Sequence, residues 1–177
     1  TFNLDTDLLS ETLVKLNGVK ALLPMHFGGQ TGDMDAMVAL AQRYDLKIVE
    51  DAAHALPTSY KGRMIGTIGD LTAYSFYVTK TLATGEGGMV VTANPDYAER
   101  IRTMRLHGMN RDVFHRTAAK LPFWYYEVVA PGFKYNMSDI AAALGIHQLH
   151  KAETFLQRRT DIAMQYTQAL IDLPVRT

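Results

Sequence analysis

The chain has 177 residues, of which 47% are hydrophobic and 20% charged, a composition typical of one globular domain with a real core. Lysine plus arginine and aspartate plus glutamate both number 18, so the net charge is zero and offers no electrostatic footprint for nucleic acid or a membrane surface. The absence of cysteine excludes disulfides and thiol chemistry. No apolar run approaches the ~20 residues of a membrane span, so we expect a cytoplasmic protein.

Helix and strand signals alternate in the first part of the sequence. Asp5 or Thr6 can cap a short first helix, and Asp33 can cap a second. Residues 19–27 are predicted to form a buried strand before the second helix, and residues 46–49 form the next strand. This strand–helix–strand order indicates a parallel βαβ unit and therefore an α/β fold.

Polar side chains follow directly after the second of these strands. Glu50, Asp51 and His54 come at its carboxyl end, where α/β sheets place their ligands. A carboxylate buried at such a strand end is costly unless it is paired, and we expect Asp51 to be buried in this way. A protonated pyridine nitrogen is one suitable partner for Asp51. The ordinary alternative is that Asp51 caps a helix or forms a salt bridge. For His54, the ordinary alternative is a helix-capping or core position.

The second part of the sequence predicts loops, two more strands and three helices. Residues 56–70 hold four glycine or proline residues and indicate loop and turns. The remaining predicted elements are strands at 71–78 and 89–92, a helix that begins at Asn94-Pro95, a long loop over 108–131, and helices at about 138–150 and 152–172.

Lys80 lies between an apolar strand and a glycine-rich turn at 84–88, which is a poor place for an ordinary solvated lysine. A desolvated amine with a lowered pKa is a good nucleophile. The turn lacks the spacing of a phosphate-binding loop, and we interpret it as a tight turn that brings two strands close to Lys80. Ser75, five residues earlier, is either a phosphate ligand or a core serine. Together with Asp51 and His54, Lys80 could hold a pyridinium aldehyde and use it as an electron sink.

These segments resemble the aspartate and lysine motifs of the DegT/DnrJ/EryC1/StrS family of pyridoxal-phosphate (PLP)-dependent sugar aminotransferases. The resemblance runs through nearly the whole chain, in the order of the family and at its spacings. It is carried by Met25-His-Phe-Gly-Gly-Gln30, Ile48-Val-Glu-Asp-Ala-Ala-His-Ala55, Tyr60-Lys-Gly62, Gly66-Thr-Ile-Gly-Asp70, Tyr74-Ser-Phe-Tyr-Val-Thr-Lys80, Arg105-Leu-His-Gly108 and Gly132-Phe-Lys-Tyr-Asn-Met-Ser-Asp-Ile-Ala-Ala-Ala-Leu-Gly145.

The resemblance implies the type I (aspartate aminotransferase-like) fold and a role for each matching residue. Lys80 would be the Schiff-base lysine and proton carrier, and Asp51 would pair with the pyridine nitrogen of PLP. His54 would lie near the phenolic oxygen, and Ser75 would donate to the phosphate. Asn136 matches a segment that reaches the phosphate of the neighbouring subunit, although Lys134 and Asn136 here replace the more common asparagine and arginine.

Members of the family are roughly twice as long, so the resemblance implies an internal piece. Residues 1–130 would be a partial PLP-binding large domain, and residues 131–177 the helical start of the small domain. Unpaired strand edges and unpartnered helices in such a piece favour self-association, most simply as a homodimer.

The implied reaction is transfer of an amino group, usually from glutamate, to a keto sugar linked to a nucleotide, in the synthesis of polysaccharide or antibiotic sugars. One alternative is a PLP-dependent sugar dehydratase of the same family, but those proteins carry histidine at the position of Lys80. Another is a non-catalytic fragment that folds and dimerises. His147 and His150 lie three apart on a predicted helix but have no third ligand at suitable spacing, so no metal site is expected.

Overall fold

A computed structural model describes residues 2–110, 122 and 124–175 of the chain. Its strands are β1 (Ala21–Leu22), β2 (Lys47–Asp51), β3 (Ser59–Tyr60), β4 (Arg63–Met64), β5 (Leu71–Ser75) and β6 (Gly88–Val91). Its helices are α1 (Thr6–Lys15), α2 (Met34–Tyr44), α3 (Pro95–Met104), α4 (Asp139–Leu149) and α5 (Ala152–Ala169), with a short 3-10 turn at Phe27–Gly29. Among the described residues, no helix combines the length and apolarity needed to cross a membrane.

A four-stranded mixed sheet in the order β1-β2-β5-β6 organises the fold. Strands β1, β2 and β5 run parallel, and β6 is antiparallel to β5. The predicted parallel βαβ unit is therefore confirmed. Because β2 and β5 are parallel neighbours, the segments that leave their carboxyl ends emerge at the same edge of the sheet.

Helix α2 supplies the apolar layer against one face of the sheet. It begins as predicted at Asp33, whose carboxylate accepts from the backbone N–H of Ala36 at 3.1 Å. Its inward residues are buried as the helical spacing predicts. The core around it consists of Leu13, Leu22, Met34, Met37, Ala41, Leu46 and Ile48.

Strand β1 is much shorter than the strand predicted at 19–27. Pro24 has no N–H to donate, so a regular ladder does not continue through it. Beyond Pro24 the chain meets β2 only through an isolated bridge between Met25 and Asp51. The strand therefore forms within the predicted range but ends before Pro24.

The predicted loop at 56–70 contains a small antiparallel hairpin, β3–β4. Its two-residue turn, Lys61 and Gly62, has positive φ values of 48° and 79°, as hairpin turns of this length require. The hairpin is held to the start of α2, because the hydroxyl of Tyr60 donates to Asp33 at 2.9 Å and the ammonium of Lys61 contacts Asp35 at 2.6 Å.

The carboxyl-terminal helices form where the sequence predicts them, but they expose several apolar side chains. Asn94 caps α3 as predicted, its side chain accepting from Asp96 and Tyr97. Helices α4 and α5 lie close to the predicted ranges. The apolar side chains of α5 are only partly covered by the described residues: Tyr166 is 65% exposed, whereas Phe155 is half-buried. Of the predicted loop at 108–131, residues 111–121 and 123 lie outside the described residues.

The burial of α2 predicts a large cost for truncating its core side chain. Met37 is fully buried, so Met37→Ala should lower the free energy of unfolding by about 2–5 kcal/mol through lost transfer energy and the cavity left behind. Met164→Ala is the matched control, since Met164 on α5 is 57% exposed and should change stability by less than about 0.5 kcal/mol. Urea unfolding of the two variants, followed by circular dichroism, makes the comparison; equal losses would contradict the packing described.

Candidate active site

A cavity of about 310 Å³ opens at the carboxyl ends of β2 and β5. It brings together three residues that the sequence singled out, His54, Ser75 and Lys80. The full set of described lining residues is Gly28, Ala53, His54, Leu56, Ser75, Thr79, Lys80, Thr81 and Leu82. Basic, hydroxyl and imidazole groups therefore converge on one concave site.

Lys80 is held on a turn that follows β5. Its backbone N–H donates to the carbonyl of Tyr77 at 2.9 Å, and its side chain is half-buried. The loop is closed at its base, because Phe76 donates to Gly87 at 2.8 Å and Thr84 donates to Phe76 at 2.9 Å. Among the described residues the Lys80 amine has no ion-pair or hydrogen-bond partner. The amine is therefore available to a ligand in the cavity.

The glycine-rich turn after Lys80 is the tight turn that the sequence predicted. Gly88 begins β6 so close to β5 that a Cβ there would lie 2.8 Å from the carbonyl oxygen of Tyr74. Gly85 has φ of 82°, and the hydroxyl of Thr84 spans the turn by donating to the carbonyl of Glu86 at 2.8 Å. Any larger residue at 88 would push β6 away and displace the loop that carries Lys80.

Ser75 and His54 face the cavity with hydrogen-bonding capacity to spare. The hydroxyl oxygen of Ser75 accepts from the backbone N–H of Tyr77 at 3.3 Å, so its proton remains free to donate. His54 accepts from the backbone N–H of Gly28 at 3.3 Å through Nδ1, and Phe27 packs edge-on to its ring at 5.8 Å. Acceptance at Nδ1 places the proton of a neutral His54 on Nε2.

Asp51 is exposed, so the prediction that it is the buried carboxylate is wrong. Its Oδ1 accepts from the N–H of Ala53 at 3.0 Å in a local turn. It does not line the cavity, but it ends β2 opposite Ala73 of β5, two residues before Ser75. Side chains alternate along a strand, and the inward position belongs to its neighbour Glu50.

Glu50 forms a buried network that the sequence did not identify. Its Oε2 lies 2.9 Å from Nε2 of His26, and both side chains are fully buried. Its Oε1 accepts from the hydroxyl of Thr72 and from the backbone N–H of Gly69, both at 2.8 Å. Burial by itself raises the pKa of Glu50, but these three donors outweigh burial and lower the pKa overall. The available signal was His26, which directly follows the first apolar run.

Asn136 lies outside the cavity. Its side chain is half-buried, and its Oδ1 accepts from the ammonium of Lys134. Neither residue is among the described residues that line the Lys80 cavity. A role for Asn136 within a single subunit is therefore not supported by this arrangement.

The donor set suits an anionic pyridine aldehyde such as PLP. An unpaired amine matches the aldehyde, a free hydroxyl matches the phosphate, and an imidazole N–H matches a phenolic oxygen. A carboxylate stands at the same strand edge to match the ring nitrogen. On this chemistry, the residues present fit PLP.

The sequence of the whole chain, residues 1–177, matches the family model described as the DegT/DnrJ/EryC1/StrS aminotransferase family. The chain belongs to this family. Its α/β architecture with a mixed sheet is that of solved structures of PLP-dependent sugar aminotransferases.

Individual relatives agree with this assignment. The spore coat polysaccharide biosynthesis protein SpsC of Bacillus subtilis is 49% identical over 177 residues, which cover 97% of this chain and 45% of SpsC. Spr1654 of Streptococcus pneumoniae, solved in its PMP form, superposes with a TM-score of 0.84 at 31% identity, covering all of this chain and 50% of that one. DesI, solved in the presence of its TDP-sugar product, gives a TM-score of 0.82 at 31% identity, covering 98% of this chain and 41% of DesI. The chain thus spans half or less of the length of these relatives.

The lowered pKa of Glu50 predicts an acid-sensitive contribution to stability. A carboxylate whose pKa is lower in the folded state stabilises the protein at neutral pH, and this contribution disappears as the pH falls through the folded pKa. The stability difference between wild type and Glu50→Gln should therefore be largest at neutral pH and should shrink below the ordinary pKa of a glutamate. Urea unfolding across that pH range measures it. Glu86→Gln, at an exposed glutamate, is the control and should show no such trend.

Proposed function

We propose that the protein carrying this chain is a PLP-dependent aminotransferase. In this proposal it transfers an amino group from an amino acid, glutamate, to a keto sugar linked to a nucleotide. The observation that carries the proposal is the amine of Lys80, which has no partner in the part of the chain that the structure describes, in a cavity shared with Ser75 and His54. Family membership, the role named for SpsC and the TDP-sugar product of DesI support it.

PLP, when bound, supplies an electron sink for the carbanion left when a substrate loses a proton. Lys80 would bind the aldehyde carbon covalently and then, once released, carry the proton between donor and acceptor carbons. Asp51 would accept the N–H of the pyridine ring through Oδ2. Ser75 would donate its hydroxyl proton to the phosphate, and His54 would donate from Nε2 to the phenolic oxygen.

The remaining role, that of Asn136, implies a homodimer. In this proposal Asn136 contacts the phosphate bound by the other subunit. Support comes from the apolar side chains beside it: Tyr135 and Ile140 are 74% and 79% exposed, and Phe133 stacks on Tyr135 at 5.0 Å. Exposed apolar clusters of this kind are typical of protein–protein contacts. We further propose a division at 130 between large-domain and small-domain residues, and a cytoplasmic location.

Covalent trapping tests the assignment of Lys80. The full natural reading frame that contains this chain, loaded with PLP and reduced with borohydride, should carry the cofactor on Lys80, because no other lysine among the described residues lines the cavity. Peptide mass spectrometry locates the adduct. Lys61, which is ion-paired with Asp35, and Lys134, which bonds to Asn136, serve as internal controls. An adduct on either control residue would sink the assignment, and no adduct at all would favour the non-catalytic alternative.

A conservative substitution tests Asp51. Asp51→Asn should keep PLP bound, since Lys80 and Ser75 are intact, but should lower kcat by on the order of a hundredfold or more because the ring nitrogen is no longer held protonated. Steady-state kinetics with glutamate and a nucleotide-linked keto sugar, together with cofactor stoichiometry, measure both effects. Asp45→Asn, at the left-handed carboxyl-terminal cap of α2, is the matched control. Unchanged kcat in Asp51→Asn would mean that Asp51 is only structural.

A further inference from the structure

The buried pair formed by His26 and Glu50 has no direct part in the proposed chemistry. Neither residue lines the Lys80 cavity, and both are inaccessible to solvent. An ionised carboxylate buried this completely is costly even when it is hydrogen-bonded. Such a pair therefore calls for a role beyond filling space.

The backbone of His26 and its neighbours holds both peptide groups of Asp51. The N–H of Asp51 donates to the carbonyl of Pro24 at 2.8 Å, and the N–H of His26 donates to the carbonyl of Asp51 at 3.0 Å. Because β1 ends before Pro24, these bonds are not backed by a regular ladder on that side. The side-chain bond from His26 to Glu50 is a further restraint on this segment.

The same segment also leads to the contact that orients His54. The carbonyl of His26 accepts from Gly29 at 3.2 Å and so closes the short turn over residues 27–29. Within that turn, the N–H of Gly28 donates to Nδ1 of His54 at 3.3 Å. His26 is thus tied to both residues that would contact the ring of the cofactor.

The hydrogen-bonding state of His26 follows from its surroundings. Its Nδ1 is buried and has no partner among the described residues, so a proton there would be an unpaired buried donor. The ring is best satisfied as a neutral imidazole that donates from Nε2 to Glu50. A single hydrogen bond then fixes the orientation of the ring, and Thr72 and Gly69 fix Glu50 in turn.

We propose that His26 and Glu50 are positioning residues that hold the Asp51 carboxylate in register with the pyridine nitrogen of the cofactor. This inference rests on the proposed function, since it assigns a purpose to the pair only if Asp51 meets that nitrogen. The pair acts through the backbone of residues 24–26 and 51 and does not touch the cofactor. Loss of the pair should loosen Asp51 and weaken its hold on the ring proton.

The test reads the protonation of the ring nitrogen directly, with ¹⁵N-labelled PLP bound to the full-length protein. The nitrogen chemical shift should report a protonated ring in wild type and a deprotonated ring in Asp51→Asn. His26→Leu should lower the protonation constant by about tenfold, the size of effect expected for coupled neighbours. His26→Gln restores a donor toward Glu50 and should recover most of the wild-type shift.

Two further variants sharpen the test. Glu50→Gln keeps the shape of the side chain but turns an amide N–H toward Nε2 of His26, so the N–H at Nε2 loses its acceptor. This variant should also lower the protonation constant of the ring nitrogen, and it replaces His26→Leu in the test if that variant does not fold. Asp70→Asn is the matched control. Asp70 also binds β2, accepting from the N–H of Ile48 at 2.9 Å, but it lies at the opposite end of the sheet and should leave the ring protonated.

A kinetic cycle provides an independent readout. If the pair acts through Asp51, His26→Leu should lower kcat when it is introduced into the wild-type protein. The same substitution should cause little further loss of kcat when it is introduced into the Asp51→Asn variant. Fully additive losses would overturn the inference, as would a protonation constant equal to that of wild type in both His26→Leu and Glu50→Gln. A wild-type ring that is not protonated, or one that Asp51→Asn leaves protonated, would instead overturn the role of Asp51 itself and the inference with it.

Discussion

Parallel pairing of β2 with β5 is the constraint on which the candidate site depends. The register sets Asp51 opposite Ala73, so the segment that carries His54 and the segment that carries Ser75 and Lys80 leave the sheet side by side. His54 and Lys80, which are 26 positions apart in sequence, then share one cavity because the sheet has already brought their segments together. The antiparallel β6 completes the arrangement, because its close approach at Gly88 holds the far end of the Lys80 loop against β5.

That pairing places a carboxylate inside the protein, and the structure compensates for it locally. Glu50 receives donors from three directions: an imidazole, a hydroxyl and a backbone N–H. Removing a hydrogen-bond partner from a buried polar group typically costs about 1–3 kcal/mol, and more when the group is charged, since the remaining group keeps its desolvation penalty. The network therefore restricts the positions of the segments that contribute the donors, because they cannot shift independently of β2 without breaking a hydrogen bond to Glu50.

Much of the fold follows from local signals, and the departures have local causes. The caps at Asp33 and Asn94 and the tight turn before β6 were predictable because each depends on a few adjacent residues. Proline shortened β1, and a lysine–glycine pair formed a hairpin turn within a predicted loop. The exposure of Tyr166 on α5 could not be predicted, because a helical apolar stripe does not specify what covers it.

Three of the predicted site residues share the cavity, whereas Asp51 and Asn136 do not line it and the buried Glu50 was not identified. Lys80, Ser75 and His54 converge because strand ends converge, a consequence of topology that spacing can reveal. Which of two adjacent acids is buried depends on the register of β2 against its neighbours, and the sequence pattern did not resolve it.

Glu50 and Asp51 show how one strand end can serve two purposes. Alternation along β2 turns one carboxylate into the interior and leaves the next at the surface. The inner acid can then hold the segment that flanks the sheet edge, while the outer acid keeps an oxygen free for a ligand. Because the two residues are adjacent on β2, a shift of the backbone at Glu50 also moves the backbone of Asp51. The buried pair of His26 and Glu50 can therefore help to orient Asp51, whose exposed carboxylate has few side-chain contacts among the described residues.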